Sequence, residues 1–248
     1  MSEGTFNNLI CLSFLGTAYH GTQIQRNALT VQEVFQDALK DVLGTLPDIK
    51  CCSRLDSGVH AKKFYISFFT ERSYAPDILM RALNSRLPDD IRAISSAPAA
   101  PDFHARYSSL GKRYEYLIWN DRVMDPFMNG RAHRYSPPID AEQLNGTAEV
   151  FLGTHDFSSF CSVKSSVEDK IRTVRHCEAV RDGKLVRLCF EADGFLYNMA
   201  RIMAGALLQT VSGKLDRDRI GEYLAGRPRD NLLITLPACG LYLTEVLY

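Results

Sequence analysis

The sequence predicts an α+β fold built from two tandem ferredoxin-like βαββαβ units. Short apolar stretches with the period of strands alternate with amphipathic stretches with the period of helices, and the order β-α-β-β-α-β occurs twice. A run of small residues and prolines at 95–101 separates the two halves. We expect the helices of each unit to cover one sheet face, and the mainly antiparallel sheets to merge side by side around a central cleft.

The first half, residues 1–100, contains well-marked helix ends. Thr30-Val31-Gln32-Glu33 is a capping box in which Thr30 caps the helix and Glu33 reaches back. Gly44 ends this helix, and Pro88 stops the second one. The remaining predicted elements are strands at 9–14, 49–52, 64–69 and 91–94 and a helix at 76–86.

The second half, residues 101–248, repeats the order. Asp182-Gly183 is a strong hairpin signal between two strands. Asp140 is predicted to cap a helix that runs to about Leu152. The other predicted elements are strands at 113–119, 174–180, 185–192 and 241–246, a long apolar helix at 195–211 and a shorter helix at 219–225.

Composition narrows the class of protein. The 248 residues are 46% hydrophobic with a formal net charge of zero, which indicates a folded protein without a uniformly basic coat. No apolar run approaches the ~18 residues needed to span a bilayer. The N-terminus lacks a secretory signal, and the seven cysteines suit buried, reduced thiols. We therefore expect a cytoplasmic protein that has no membrane partner.

Several kinds of chemistry lack their motifs. There is no phosphate loop, no G-x-G-x-x-G after a strand, no G-x-S-x-G elbow and no H-E-x-x-H. No cysteines form a C-x-x-C pair, and no two of the six histidines are four residues apart. The prediction is a reaction that uses protein side chains alone, without a metal site, a nucleotide or another cofactor.

Asp56 is the strongest candidate for a reactive group. It lies beside Arg54 in a glycine-containing turn between two predicted strands, where a loop can hold a side chain outward from a rigid base. A guanidinium beside it would favour the charged carboxylate. Taken alone, the pattern fits a surface ion pair better.

Other stretches of the sequence favour a functional site at Asp56 over a surface ion pair. Arg201 lies in an otherwise apolar helix, where a buried arginine needs an anionic partner. Tyr114 is either a core strand aromatic or part of a site. Arginines and aromatics are mixed from His104 to Arg134, which suits phosphate contacts or a solvated surface.

Together these stretches resemble the TruA family of tRNA pseudouridine synthases over almost the whole chain. Residues 53–61 match, with substitutions, the family block Gly-Arg-Thr-Asp-Ala-Gly-Val-His-Ala. The family stretches F-H-A-R, Met-x-Arg and G-L-Y-L recur in order at 103–106, 199–201 and 240–243, and R-Y-x-Y recurs at 113–116.

The resemblance implies a pseudouridine synthase fold and a function. TruA-like enzymes isomerise uridine to pseudouridine in the tRNA anticodon stem-loop, at positions 38, 39 and 40, and need no cofactor or metal. It makes Asp56 the nucleophile, at either the ribose C1′ or the uracil C6. Arg201 would pair with Asp56, and Tyr114 would stack on the uracil or move a proton. The full set of expected substrate contacts is Tyr114, Arg54, His60, Arg106 and Arg113. The resemblance also implies a homodimer.

Five positions depart from the family pattern around the Asp56 loop and a polar loop expected to touch RNA. These are Leu15, Thr22, Ser53, Leu55 and Ser57, where aspartate, tryptophan, glycine, threonine and alanine are usual. They leave the expected catalytic set intact and leave the choice of target open. Two alternatives follow: a catalytically silent tRNA-binding or RNA-folding paralogue, and a metal- or nucleotide-dependent RNA enzyme.

Overall fold

A computed structural model describes residues 5–162 and 167–248. The chain forms two compact units, and the first comprises Met1–Leu110 with Leu243–Tyr248. Gly111–Tyr242 form the second unit. The predicted halves divided the chain at 100/101, so the structure adds residues 101–110 and the C-terminal segment to the first unit.

The first unit has the predicted βαββαβ order. Its elements are β1 (Phe6–Phe14), α1 (Val31–Leu43), β2 (Lys50–Cys51), β3 (His60–Thr70), α2 (Pro76–Asn84) and β4 (Ile91–Pro98), with the greater part of β10 (Leu241–Leu247) at the C-terminus. Its strand order is β4-β1-β3-β10, with β2 paired to β3. β1 is antiparallel to both β3 and β4.

Helix α1 begins and ends where the sequence predicts. Thr30 Oγ1 accepts a hydrogen bond from the Glu33 amide at 3.3 Å, and Gly44 closes the helix with φ of 75°. Buried Phe35 of this helix packs on Phe68 of β3 with ring centroids 6.5 Å apart. Because neighbouring strand residues point to opposite faces, Ser67 faces away from α1.

Strand β4 corrects the predicted boundary between the halves. The run 95–101 was expected to be a linker, yet β4 continues to Pro98 and pairs with β1 through Asn8. Small residues and a proline are tolerated there because β4 lies at the sheet edge, where an amide can be absent.

The second unit has more elements than predicted. They are β5 (Gly111–Trp119), β6 (His133–Arg134), α3 (Ala141–Ala148), β7 (Gly153–Asp156), β8 (Ile171–Asp182), β9 (Leu185–Ala192), α4 (Met199–Val211) and α5 (Arg217–Leu224). The strand order is β5-β9-β8-β7, with β6 parallel to β5. The sequence did not reveal β6 and β7, because strands of two and four residues are too short to show an alternating pattern.

The α+β class is confirmed. The predicted helix at 195–211 begins later, at Met199, because Asn198 has a φ of 63° and interrupts the helical backbone. No helix in the described part of the chain is long and apolar enough to cross a membrane. None of the seven cysteines, all of which lie among the described residues, forms a disulfide.

Candidate active site

The loop that carries Asp56 is held on both sides by main-chain hydrogen bonds. Before Asp56, the carbonyl of Leu55 accepts from the Thr22 amide at 3.1 Å. After it, the Gly58 amide donates to the Tyr19 carbonyl at 3.2 Å, and the Val59 amide donates to the Asp56 carbonyl at 3.2 Å. Asp56 itself is half-buried. The loop thus fixes the backbone from which the carboxylate projects.

The partner in the first two of these bonds is the segment 16–22, which we call the cradle. The cradle passes so close to the Asp56 loop that Gly21 has no room for a side chain. A Cβ on Gly21 would lie 2.5 Å from the Leu55 carbonyl oxygen, and Gly21 has a φ of +85°. Tyr19 anchors the cradle by donating its hydroxyl to Asp90 Oδ1 at 2.6 Å. Burial, together with this carboxylate, raises the pKa of Tyr19.

Three of the five departures from the family pattern lie at the contact between the cradle and the Asp56 loop. Thr22 is only 2% exposed, and its Oγ1 accepts from the Leu55 amide at 2.9 Å. The Leu55 side chain is also buried. Ser57 Oγ donates to the Tyr19 carbonyl at 3.4 Å. The expectation that the change at Thr22 lies on a surface touching RNA is therefore wrong, because this side chain is inside the protein.

His60 was predicted to bind substrate, and the structure gives it another role. The side chain is completely buried, and its Nδ1 accepts a hydrogen bond from the Gly16 amide at 2.9 Å. A ring closed off from solvent cannot touch RNA without unfolding the loop. His60 therefore holds the cradle to the start of β3. Arg54, in contrast, is exposed beside the loop.

In the second unit, Tyr114 occupies a buried position on β5. It is 5% exposed, and its ring meets Phe195 edge-on with centroids 4.8 Å apart. Tyr116, two residues on, shares this sheet face and donates its hydroxyl to the Pro237 carbonyl at 2.8 Å. The ring of Tyr114 is thus fixed in orientation by Phe195, just before α4.

Arg201 lies in the first turn of α4 and is half-buried. Its Nε donates to the Leu236 carbonyl at 2.7 Å and its Nη1 to Asn198 Oδ1 at 2.7 Å. Asn198 in turn donates from Nδ2 to Ser162 Oγ at 2.7 Å. These contacts are made by planar guanidinium donors in set directions, which holds the positive charge in one place.

The left-handed backbone of Asn198 accompanies this arrangement. Among the described residues it is the one non-glycine with a positive φ, a conformation that persists only where surrounding contacts require it. The side chain bridges Ser162 and Arg201, which accounts for the asparagine. Sequence reasoning missed Asn198, although it lies directly before the stretch 199–201 that contains Arg201.

The charge of Arg201 affects the pKa of two neighbouring side chains. Burial raises the pKa of Tyr116 and also that of Cys239, and in both cases the guanidinium of Arg201 acts in the opposite direction. The site in this unit therefore consists of a fixed cation beside neutral tyrosine and thiol groups, a setting that favours an anionic partner.

The two basic residues predicted to bind substrate lie in different settings. Arg113 is on the sheet face opposite Tyr114, and its Nε is 2.5 Å from Glu191 Oε2 on β9. Arg106 is exposed in the first unit, with its Cζ 5.7 Å from the ring centroid of Tyr107. Arg113 is thus partly neutralised, whereas Arg106 belongs to an exposed aromatic turn.

That turn, residues 104–107, is well anchored. The amides of Arg106 and Tyr107 donate to His104 Nδ1 at 3.0 and 3.3 Å. The Ala105 amide donates to Ser67 Oγ at 3.0 Å, on the face of β3 away from α1. Tyr107 remains 76% exposed, and its ring lies 4.4 Å from that of His104.

The candidate residues fall into two groups. The first unit holds Arg54, Asp56, His60 and Arg106, and the second holds Arg113, Tyr114 and Arg201. Within the second unit, Tyr114 and Arg201 are linked through Phe195 and α4. In the described part of the chain, no three histidine, cysteine or acidic residues cluster as a metal site would require.

Comparisons with known proteins give a consistent result. A family model described as tRNA pseudouridine synthase matches residues 10–108 and 147–248. The tRNA pseudouridine synthase A of Acetivibrio thermocellus is 41% identical over 98% of this chain and 99% of its own length. The protein of the same name from Thermoanaerobacter sp. is 40% identical over 98% of this chain and 99% of that relative. The tRNA pseudouridine synthase A of Staphylococcus carnosus is 38% identical over 96% of this chain and 89% of its own length. The chain belongs to the TruA family of tRNA pseudouridine synthases.

Proposed function

We propose that this protein isomerises uridine to pseudouridine in tRNA with Asp56 as its nucleophile, and that its targets lie in the anticodon stem-loop. Membership of the family makes it an isomerase that acts on tRNA. The observation that supports Asp56 is the position of this one acid on a loop held by main-chain bonds at Leu55 and Gly58. Such a loop holds the backbone that carries the carboxylate in a defined place.

The proposed reaction conserves every atom of the uridine. The bond between ribose C1′ and uracil N1 breaks, the base turns, and a bond forms between C1′ and C5. The proton leaves C5, and N1 gains one, so neither an oxidant nor a reductant is needed. Asp56 attacks either C1′ or C6, and an ionised carboxylate is required in both cases.

Arg201 and Tyr114 are proposed to act on the same uridine as Asp56. A cation keeps a nearby carboxylate ionised, and the fixed guanidinium of Arg201 is suited to that task. Extruding a base costs a few kcal/mol, which contacts with the base and its phosphates must offset. Tyr114 is proposed to contact the uracil and to take part in moving the C5 proton.

Replacing Tyr114 with phenylalanine separates these two tasks. The ring contact with Phe195 persists, so we expect normal folding and a drop in turnover of ~10²-fold or more, the scale of lost proton transfer. Single-turnover rates on tRNA would measure it. Tyr135→Phe is the control, since Tyr135 donates its hydroxyl to the Leu208 carbonyl in the same unit. Equal rates for Tyr114→Phe and wild type would limit Tyr114 to packing.

The exposed turn 104–107 is the proposed contact with the tRNA backbone. Arg106 supplies charge, and the accessible ring of Tyr107 supplies a surface on which a base stacks. We expect Arg106→Ala to weaken tRNA binding and to lower the slope of log K against log salt by about 1. Binding titrations at several salt concentrations would measure this.

Arg86→Ala is the charge-matched control for Arg106. Arg86 is exposed just past α2, a helix that packs on β4 of the same unit. Its replacement should leave the salt slope unchanged. If Arg106→Ala and Arg86→Ala behaved alike, the turn would have no special role in binding.

The decisive test of function is to incubate the purified protein with unmodified tRNA transcripts and to map pseudouridine. We expect the modification at one or more of positions 38, 39 and 40. Binding without modification would favour the catalytically silent paralogue instead. Activity that disappears with a chelator, or that requires added nucleotide, would favour the third alternative, a metal- or nucleotide-dependent enzyme.

We also propose a homodimer and a cytoplasmic location. The homodimer rests on the family resemblance, and sedimentation equilibrium would test it. The location rests on the seven cysteines, which form no disulfide among the described residues, a state that a reducing compartment maintains. Cell fractionation would test that second proposal.

A further inference from the structure

We propose that Thr22 is the positioning residue for Asp56, and that it acts through the backbone of Leu55. This inference rests on the proposed role of Asp56 as nucleophile. Thr22 does not touch the reacting carboxylate. Thr22 holds Leu55, the residue directly before Asp56.

The geometry supports a two-point clamp. The Thr22 amide donates to the Leu55 carbonyl at 3.1 Å, and Thr22 Oγ1 accepts from the Leu55 amide at 2.9 Å. One residue therefore satisfies both main-chain polar groups of Leu55. Two bonds to one peptide segment restrict its rotation, whereas a single bond leaves a hinge. The side-chain hydroxyl supplies the second of these bonds.

The clamp is connected to a rigid element. The Thr22 carbonyl accepts from the Gln32 amide at 3.1 Å, in the first turn of α1. The adjacent Gly21 carbonyl accepts from the Val31 amide at 3.1 Å. The first turn of a helix has amides without partners inside the helix, so the cradle satisfies them. Asp56 is thereby linked to α1 through only two intervening residues.

Both partners in the clamp depart from the family pattern. Thr22 stands where tryptophan is usual, and Leu55 stands where threonine is usual. Leucine offers no side-chain hydrogen bond in this loop, and the buried hydroxyl at position 22 provides one from the opposite side. The two positions are therefore joined by a direct contact between the Thr22 side chain and the Leu55 main chain.

The rest of the loop has its own anchors. Gly58 and Ser57 are bonded to the Tyr19 carbonyl, and neither bond involves Thr22. Loss of the Thr22 hydroxyl should therefore leave the segment before Asp56 held by one bond, about which it can rotate, while the segment after it stays attached at both of its anchors. The expected consequence is a displaced carboxylate in a folded protein.

The test uses Thr22→Val, which keeps the shape of threonine and removes the hydrogen bond. A misplacement of about 1 Å costs on the order of 100-fold in rate, so we expect kcat to fall ~10- to 100-fold. KM for tRNA should stay within about twofold, since uniform binding is not altered. Thr22→Ser keeps the hydroxyl and should restore kcat to within about threefold of wild type, because the acceptor that fixes the reacting geometry is present.

Thr70→Val is the matched control. Thr70 is also a buried threonine of the first unit, and its Oγ1 accepts from Asn8 Nδ2 at 2.9 Å. It lies at the end of β3 remote from His60. We expect Thr70→Val to lower Tm as Thr22→Val does, with kcat unchanged.

Three results would overturn the inference. The first is a normal kcat in Thr22→Val, and the second is an equal fall in kcat in Thr70→Val. The third is a kcat in Thr22→Ser as low as that in Thr22→Val. If Thr22→Val does not fold, Thr22→Ala is read by the same criteria. Wild-type protein and Asp56→Ala, assayed in parallel, report on the proposed function itself. An active wild type with an inactive Asp56→Ala therefore shows that any failure belongs to Thr22 alone.

Discussion

Replacing Asp56 with alanine is expected to reduce pseudouridine formation by ~10⁴-fold or more, the scale seen when a covalent enzyme loses its nucleophile. Without the carboxylate, no group forms the covalent intermediate that allows the base to leave and return. The fold should persist, because the bonds that hold this loop come from the main chain of Leu55, Gly58 and Val59. Release of the C5 hydrogen from labelled tRNA would measure the loss.

Two further measurements make the Asp56 result specific. Asp102→Ala removes an exposed acid from the same unit and should leave turnover at the wild-type level. Binding of tRNA by Asp56→Ala should stay close to normal, since one carboxylate adds no attraction for phosphates. Normal turnover in Asp56→Ala would refute its assignment as nucleophile.

Replacing Arg201 with lysine should have the second largest effect, a loss in kcat of ~10²- to 10³-fold, the range for removal of one fixed electrostatic donor. Lysine keeps the charge and loses the planar fork that donates to both Leu236 and Asn198. The ammonium group would be free to move, and the partner anion would lose a cation at a defined place.

Arg229→Lys is the control for Arg201. Arg229 is also half-buried in the second unit, and its guanidinium donates to the Leu233 carbonyl and to Thr235 Oγ1. Both substitutions should lower Tm by similar amounts, because each leaves a carbonyl short of a donor. Only Arg201→Lys should lower kcat. Parallel losses in kcat would reduce Arg201 to a structural residue.

The ends of α1 and the hairpin between β8 and β9 show what sequence patterns predict well. The N-cap at Thr30 and the glycine at position 44 are confirmed, because a helix end depends on residues within one turn of it. The hairpin at Asp182-Gly183 is confirmed for a similar reason, since Gly183 adopts a positive φ of 57° between β8 and β9. Local chemistry is sufficient in both cases.

Long-range pairing explains what was missed. β6 and β7 are only two and four residues long, and each is defined by its pairing with a neighbouring strand rather than by its own sequence. The C-terminal segment 243–248 was assigned to the second half and instead belongs to the first unit. Such pairings depend on where the chain returns, which no window of a few residues records.

The sequence alone determined the α+β class, the family and the identity of the candidate acid, because ordered motifs and apolar periodicity are carried by residue types. The tertiary structure decided how the departures around Asp56 are accommodated. Thr22 and Leu55 are far apart in the sequence and meet only in the folded chain, where the Thr22 hydroxyl accepts a hydrogen bond from the Leu55 amide. His60 changes from a predicted substrate contact to a buried support for the same reason. Hydrogen-bond partners are chosen by proximity in space, and burial is a property of the whole fold.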